Sequence, residues 1–297
     1  MPQRPSEPPI LCYDRVPLLD DPQWRFRSTS DLHDLGPAAN RTGLAALRLS
    51  GSASLSLPEH MAQIKAAAKG SPVTVVDLRQ ESHAIVGQHP VTWIAYNDWA
   101  NVGRSQRDVL DDEQERIEAL KKEPQVLLTD HFDWKTGVVP PRTVTQKAPR
   151  VQSEQALVEG AGGSYVRLAV TDHLRPTDEQ TDRFIDLVRG LPEGTTLHVH
   201  CKGGMGRTTT FMVMYDMLRN AHDVGADDII NRHKELGFGY DLLADGVHVD
   251  RRDFREDRRQ FIRAFHTYAQ HNPGGLPMNW EQWQARVREP APTGGSP

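Results

Sequence analysis

Hydrophobic and polar positions along this chain alternate between short β-branched runs and longer stretches with helical spacing. Ser71–Leu78 (SPVTVVDL), Tyr165–Val170 (YVRLAV) and Thr195–His200 (TTLHVH) are of strand length and rich in Val and Thr. Helical patterns cover His60–Lys69, Asp111–Lys122, Ala226–Lys234 and Arg252–Gln270, the last with Phe254, Phe261, Ile262, Phe265 and Tyr268 at near-helical spacing. Between the second and third strands, Thr177 and Gln180 are spaced as a capping box. Phe184, Ile185 and Val188 then share a face, and Gly190 and Pro192 supply a stop at Arg189. Strand, helix, strand predicts a parallel crossover. Thr209–Asn220 is almost continuously apolar through Leu218, which predicts a helix buried on most sides.

The expected fold class is therefore α/β, with a mostly parallel central sheet flanked by helices. Arg25–Leu57 and Gln125–Arg150 read differently: rich in Ser, Thr, Gly, Pro and Val, with alternations such as Leu47-Arg48-Leu49, they suggest a small β-rich subdomain built from separated segments. The expected division is a mobile lead at 1–22, a core at 58–110 and 151–288, the small subdomain at 23–57 and 111–150, and a mobile tail at 289–297. Nothing approaches the roughly 20 uninterrupted apolar residues of a membrane span, and no solenoid-like repeat occurs. Met1–Pro9 lacks the apolar stretch of a signal peptide, so compartment is not readable there; a secreted, periplasmic or effector protein is consistent with a signal already removed.

With 35 basic against 40 acidic residues, the chain has no global electrostatic attraction for nucleic acid, and an anionic ligand must be held locally. Only Cys12 and Cys201 are available, too few for a disulfide framework or a cysteine-rich zinc site. The 13 histidines lack metal-site spacing, so neither metal nor cofactor is expected. No obligate protein partner is expected either.

Candidate chemistry concentrates in His200-Cys201-Lys202-Gly203-Gly204-Met205-Gly206-Arg207-Thr208, a cysteine at a strand end, a glycine-rich turn, an arginine and a helix. Glycines let successive N–H groups turn inward as an anion-binding nest at the positive end of the helix. The same groups favour the thiolate of Cys201, and the planar fork of Arg207 can bind two phosphoryl oxygens. Two other readings compete with this one. A buried cysteine beside an ordinary glycine turn would not require the arginine, and a Walker loop would need a lysine where Arg207 stands and a different glycine spacing.

Cys-x5-Arg is the signature of cysteine-dependent phosphatases, and His200–Thr210, with its three threonines, resembles the protein-tyrosine-phosphatase-like phytases, which dephosphorylate inositol hexakisphosphate. Asp77–His83 (DLRQESH), Trp99-Ala100-Asn101, Thr171-Asp172-His173, Gly51-Ser52-Ala53 and Trp280-x-x-Trp283 share the resemblance, which spans about residues 24 to 285. It implies a phosphatase core bearing a small partial β-barrel, and an inositol polyphosphate as substrate. It also implies Asp172 as the general acid, with His173 beside it as orienting partner. Asp178 is the alternative acid, although its place in a helix's first turn suits a cap better. Thr208 can donate to the thiolate, and His200 is expected to support the loop from below. Lys202, Gly203, Gly204, Met205 and Gly206 are expected around the bound phosphate. Arg27 and Arg79 are expected to meet further phosphates, with Arg104, Arg258 and Arg259 as additional candidates, and Asp77 and Glu81 beside Arg79 suggest an internal ion-pair network. The same chemistry on phosphotyrosine or phosphoinositides, and a non-catalytic phosphate-binding effector or scaffold, remain the alternatives.

Overall fold

A computed structural model describes residues 3, 5–14, 19–22, 24–244 and 252–288. In chain order its strands are Ile10–Tyr13 (β1), Arg27–Ser28 (β2), Leu49–Ser52 (β3), Val73–Arg79 (β4), His83–Val86 (β5) and His89–Ile94 (β6). Gln125–Asp130 (β7), Thr143–Lys147 (β8), Val151–Gln152 (β9), Ser164–Val170 (β10) and Thr196–His200 (β11) follow. The helices are Pro58–Ala67 (α1), Gln106–Lys122 (α2), His131–Thr136 (α3), Glu154–Gly160 (α4) and Asp178–Gly190 (α5). They continue as Gly206–Asn220 (α6), Ala226–Leu236 (α7), Arg252–His271 (α8) and Trp280–Arg288 (α9).

The three β-branched runs lie side by side in a five-stranded sheet of order β10-β4-β11-β3-β2. Its first four strands are parallel and β2 is antiparallel at the edge. β4 and β11 are buried along their whole length, as strands covered on both faces must be. α5 makes the crossover from β10 to β11. Thr177 caps it by accepting from the Gln180 N–H at 3.2 Å, but the Gln180 side chain donates to Gln106 on α2 rather than returning to the cap. α6 is buried from Arg207 to Leu218 because the sheet covers one face while α7 and α8 pack on others. Phe211 and Met212 are fully buried there, each contributing about 1.5–3 kcal/mol. Close approach of α6 to β3 depends on Gly51, where a β-carbon would stand 2.7 Å from Met212 Sδ and 2.8 Å from Thr208 Cγ2. Trp280 of α9 packs edge-on against Phe261 and Tyr268 and at a tilt against Phe265 of α8, closing the far side of the core.

A second, six-stranded sheet runs β8-β7-β1-β6-β5-β9, antiparallel except between β1 and β7. Its order is linear, so the expected partial barrel takes the form of an open sheet among the described residues. Several segments fall elsewhere than the sequence suggested. Residues 27–28 and 49–52 join the parallel sheet, whereas 83–94 supplies the middle of the other. Leu47-Arg48-Leu49 is not a strand alternation: Leu44–Leu47 is a 3-10 turn, Arg48 sits at φ 50°, and the strand starts at Leu49. Ile10–Tyr13, expected in a mobile lead, is instead an inner strand between β6 and β7, and Cys12 is fully buried within it. A four-residue apolar run among prolines gives no local signal, since its hydrogen bonds all go to strands more than 75 residues away. The expected tail at 289–297 lies outside the described residues.

Candidate active site

Parallel strands deliver their next residues to one edge, and here β11 ends at His200 so that Cys201 emerges at the carboxyl edge between β3 and β4. The helix begins at Gly206, three residues earlier than the apolar pattern, and its first-turn amides, which have no carbonyl within the helix, face the loop. The loop's carbonyls are engaged from outside: Ser54 N donates to Lys202 O at 3.2 Å, Arg25 Nη1 to Gly203 O, and Arg27 Nη1 to Gly204 O at 2.8 Å. Gly204 sits at φ 68°, and a β-carbon there would lie 2.6 Å from Ala53 N and 2.8 Å from Ser52 C. Neither neighbour is a movable side-chain tip, so Gly204→Ala should lower stability by at least about 1–2 kcal/mol in urea unfolding and displace the loop. An unchanged unfolding midpoint would contradict this.

Cys201 is 4% exposed, and Thr208 Oγ1 lies 3.2 Å from its sulfur and 3.3 Å from Ser52 O. Arg207 is held at both ends of its fork: Nη1 donates to Glu81 Oε2 at 2.7 Å and to Val170 O at 3.0 Å, and Nη2 donates to Glu81 Oε1 at 2.9 Å. Its Nε stands 3.3 Å from Asp172 Oδ1 without forming an aligned hydrogen bond. Burial would lower the Arg207 guanidinium, but the Asp172 and Glu81 carboxylates outweigh it and raise its pKa well above the ordinary value. Glu81 shows the reciprocal effect: burial pushes it up, yet Arg207 and Arg79 hold it below the carboxylate range. The cation of the loop is permanently charged and oriented.

Asp172 follows β10, with Oδ2 3.2 Å from His173 Nε2 and its backbone carbonyl accepting from Trp99 Nε1 at 3.0 Å. A cavity of about 310 Å³ opens beside it, lined by Asp172, His173, Asp98, Tyr96, His131 and Trp134 among others. Asp178 is elsewhere engaged: Oδ1 accepts from Trp280 Nε1, Arg175 Nη1 and Gln284 Nε2 at 2.8, 3.0 and 3.1 Å. Burial works to raise its carboxyl, but those donors and the Arg175 charge lower it, so it anchors α9 as a carboxylate.

The expected distal cations occupy protein-facing positions. Arg27 is 5% exposed, braces Gly204 O, donates from Nη2 to Thr209 Oγ1 at 3.0 Å, and is lowered to about 10 by burial. Arg79 is 1% exposed and bound to Glu81 Oε1 at 3.0 Å and Thr92 Oγ1 at 2.7 Å, within the expected internal network. Lys202 lies 3.2 Å from Asp14 Oδ1 and 3.5 Å from Asp98 Oδ1, and Arg104 lies 2.6 Å from Asp112. Met205 stands at the N-cap of α6, and Gly203 lies under Arg25.

Beneath the loop is a buried charge network that the sequence indicated only through Asp77–His83. His200 Nε2 lies 2.7 Å from Glu154 Oε1, His83 Nε2 lies 3.1 Å from Asp77, and Arg167 joins Asp77 and Glu113 at 2.9 and 3.2 Å. Asp77, His83 and Glu154 place three ligand-type atoms within 4.8 Å, but Arg167 Nη1 stands against Asp77 and supplies the positive charge there. Asp14, Arg25, Glu113 and Glu154 were not anticipated. The contacts of these residues join positions 30 or more apart in sequence, with no local pattern to connect them.

A family described as PTP-like phytase, inositol hexakisphosphate, matches residues 76–219. The chain is 40% identical over 289 residues to the effector protein hopD2 of Pseudomonas syringae pv. tomato, across 96% of this chain and 62% of that relative. It therefore spans less than two thirds of that relative's length. A PTP-like phytase from Bdellovibrio bacteriovorus superimposes with a TM-score of 0.73 at 32% identity, covering 96% of this chain and 99% of the other. The PTP-like myo-inositol phosphatase of Mitsuokella multacida, in complex with myo-inositol-(1,3,4,5)-tetrakisphosphate, gives a TM-score of 0.81 at 30% identity over 96% of this chain and 50% of its own.

Proposed function

Since the chain belongs to the PTP-like phytase family, we propose that it is a cysteine-dependent phosphomonoesterase acting on inositol hexakisphosphate and lower inositol phosphates. The observation that carries this reading is the joint placement of Cys201, Thr208 and a doubly held Arg207 around one glycine-rich loop. The Cys201 thiolate attacks phosphorus, an S–P bond forms, and the bond to the inositol oxygen breaks as Asp172 donates a proton to that oxygen. Water then attacks the phosphocysteine, giving its proton to Asp172; the S–P bond breaks, Thr208 donates to the departing thiolate, and phosphate leaves. Arg207 and the loop amides meet the charge on the phosphoryl oxygens throughout.

A second reading, hydrolysis of an aryl phosphate such as phosphotyrosine, is favoured by one observation: Arg27, Arg79 and Lys202 are all engaged by protein acceptors, while the cavity beside Asp172 has Tyr96 and Trp134 in its wall. The likeness to an effector protein supports action in an effector setting for either substrate. Phosphate release from inositol hexakisphosphate and from a phosphotyrosine peptide, each measured in excess chelator, tests both points. We expect release from inositol hexakisphosphate to be undiminished by chelation, because guanidinium and amides supply the positive charge. Exclusive hydrolysis of the peptide would transfer the assignment to the second reading, and activity restored only by a divalent metal would overturn the mechanism.

A further inference from the structure

At the amino ends of the parallel strands, opposite the edge that carries Cys201, a cavity of about 510 Å³ opens between the segments leading into β3 and β11 and the last turn of α6. That volume lies within the roughly 300–1,000 Å³ of small-molecule sites. β11 has five residues at about 3.3 Å each and α6 has 15 at about 1.5 Å each, which separates the cavity from the loop by about 16–22 Å. None of the hydrolytic steps uses it. Leu47 and Leu191 supply apolar wall, and Tyr215 lies in the wall with the Arg219 guanidinium 5.4 Å from the centre of its ring. The polar groups there leave hydrogen-bonding capacity unused. Thr195 is 7% exposed and its hydroxyl has no hydrogen-bond partner, and the Tyr215 hydroxyl, on a residue 4% exposed, makes no hydrogen bond among the described residues.

Two cations complete the wall. Arg48 Nη1 donates to the Ser71 hydroxyl at 2.7 Å, and Arg219 Nη2 reaches Val188 O at 3.5 Å, the outer limit of a hydrogen bond. Both acceptors are neutral, and among the described residues neither arginine forms an ion pair, not even with Glu193, the carboxylate that also lines the cavity. Arg48 holds φ 50°, a left-handed conformation uncommon for arginine, while its carbonyl accepts from Leu197 N at 2.9 Å, so the backbone that carries this cation is pinned to the sheet. A guanidinium offers a planar donor fork to a carboxylate and a flat face to an arene. We propose that this cavity binds a small aromatic acid, with its ring against Leu47, Leu191 and the Tyr215–Arg219 layer and its carboxylate met by Arg48 and Arg219. The unpartnered hydroxyls of Thr195 and Tyr215 can donate to the same ligand. No residue of the glycine-rich loop contributes, so the site stands independently of the phosphomonoesterase reading.

The test is calorimetric titration of the wild-type protein with 1-naphthoate and with its neutral analogue 1-naphthalenemethanol. The acid should fill one saturable site, and the alcohol should bind about 10-fold more weakly or worse, the scale of a charge-assisted contact. Arg48→Gln and Arg219→Gln should each weaken the acid by about 10-fold. Ala46→Trp, which puts bulk into the cavity from an exposed residue of its wall, should remove binding. Arg48 and Arg219 are exposed as well, so all three variants should melt as the wild type does. Arg183→Gln makes the same charge change on α5, outside the cavity and beside Glu179, and should alter binding by less than about 2-fold. No saturable binding of the acid overturns the site, as does equal affinity for the alcohol. Binding that survives Arg48→Gln, Arg219→Gln and Ala46→Trp alike overturns it too, because the acid then sits elsewhere. A loss in Arg183→Gln as large as in the two cavity arginines reduces the effect to overall charge and overturns it equally.

Discussion

Cys201→Ser should reduce turnover of inositol hexakisphosphate by at least about 10,000-fold while leaving its affinity nearly unchanged. Serine occupies slightly less space than cysteine in a site that is 4% exposed, so the loop keeps its shape. Binding depends on Arg207, fixed by Glu81 and Val170 O, and on first-turn amides of α6, none of which involves the sulfur. Chemistry depends on it entirely. The Thr208 hydroxyl, 3.2 Å from Sγ, can donate to a thiolate that leaves the phosphorus, but an alkoxide is far too basic to form or to depart in the same way. Acid quenching during turnover should trap phosphorylated wild-type enzyme and no phosphorylated Cys201→Ser protein. Appreciable hydrolysis by the variant would remove Cys201 from the role of nucleophile and with it the two-step reaction.

The arrangement of the loop was legible because its parts are contiguous. From His200 to Thr208 the backbone alone joins a strand end, the nucleophile, the nest and the arginine, so spacing implies geometry. The strands around them were legible too, since β4 and β11 are buried throughout and β10 from Arg167 to Val170, and their β-branched runs follow from that burial. Long-range pairing left no such trace. A sequence states that Arg27, Arg79 and Lys202 are cations, but the acceptors that claim them, Gly204 O, Glu81 and Asp14, are set by how distant segments meet. β1 shows the same limit in its strongest form. Without it Lys202 would lack Asp14, the residue that follows the strand, and would keep its longer contact with Asp98. Cys12 in that strand is packed, and burial followed by the Asp14 charge pushes its thiol up to about 12, the opposite of a reactive cysteine.

Asp172→Asn should slow hydrolysis of inositol phosphates by roughly 100- to 10,000-fold, because an inositol alkoxide leaves poorly unless protonated. Three carboxylates compete for the role, and their partners decide among them. Glu81 accepts both nitrogens of Arg207's fork, is fully buried, and is held ionised below the ordinary range by Arg207 and Arg79. Asp178 accepts three hydrogen bonds from Trp280, Arg175 and Gln284 and is also lowered. Each is therefore a structural anion, and Asp178→Asn should cost little activity. Asp172 alone of the three borders the cavity, beside the Nε edge of Arg207 rather than clasped by its fork. On an aryl phosphate, whose leaving group needs little protonation, the same variant should lose far less rate. A variant that loses equal rate on both substrates would show that Asp172 positions Arg207 instead of donating a proton, since disturbing the phosphate's cation slows every phosphomonoester alike. The comparison therefore separates the two things this carboxylate is placed to do, with the ratio of the two losses reporting proton donation and the smaller loss reporting its hold on Arg207.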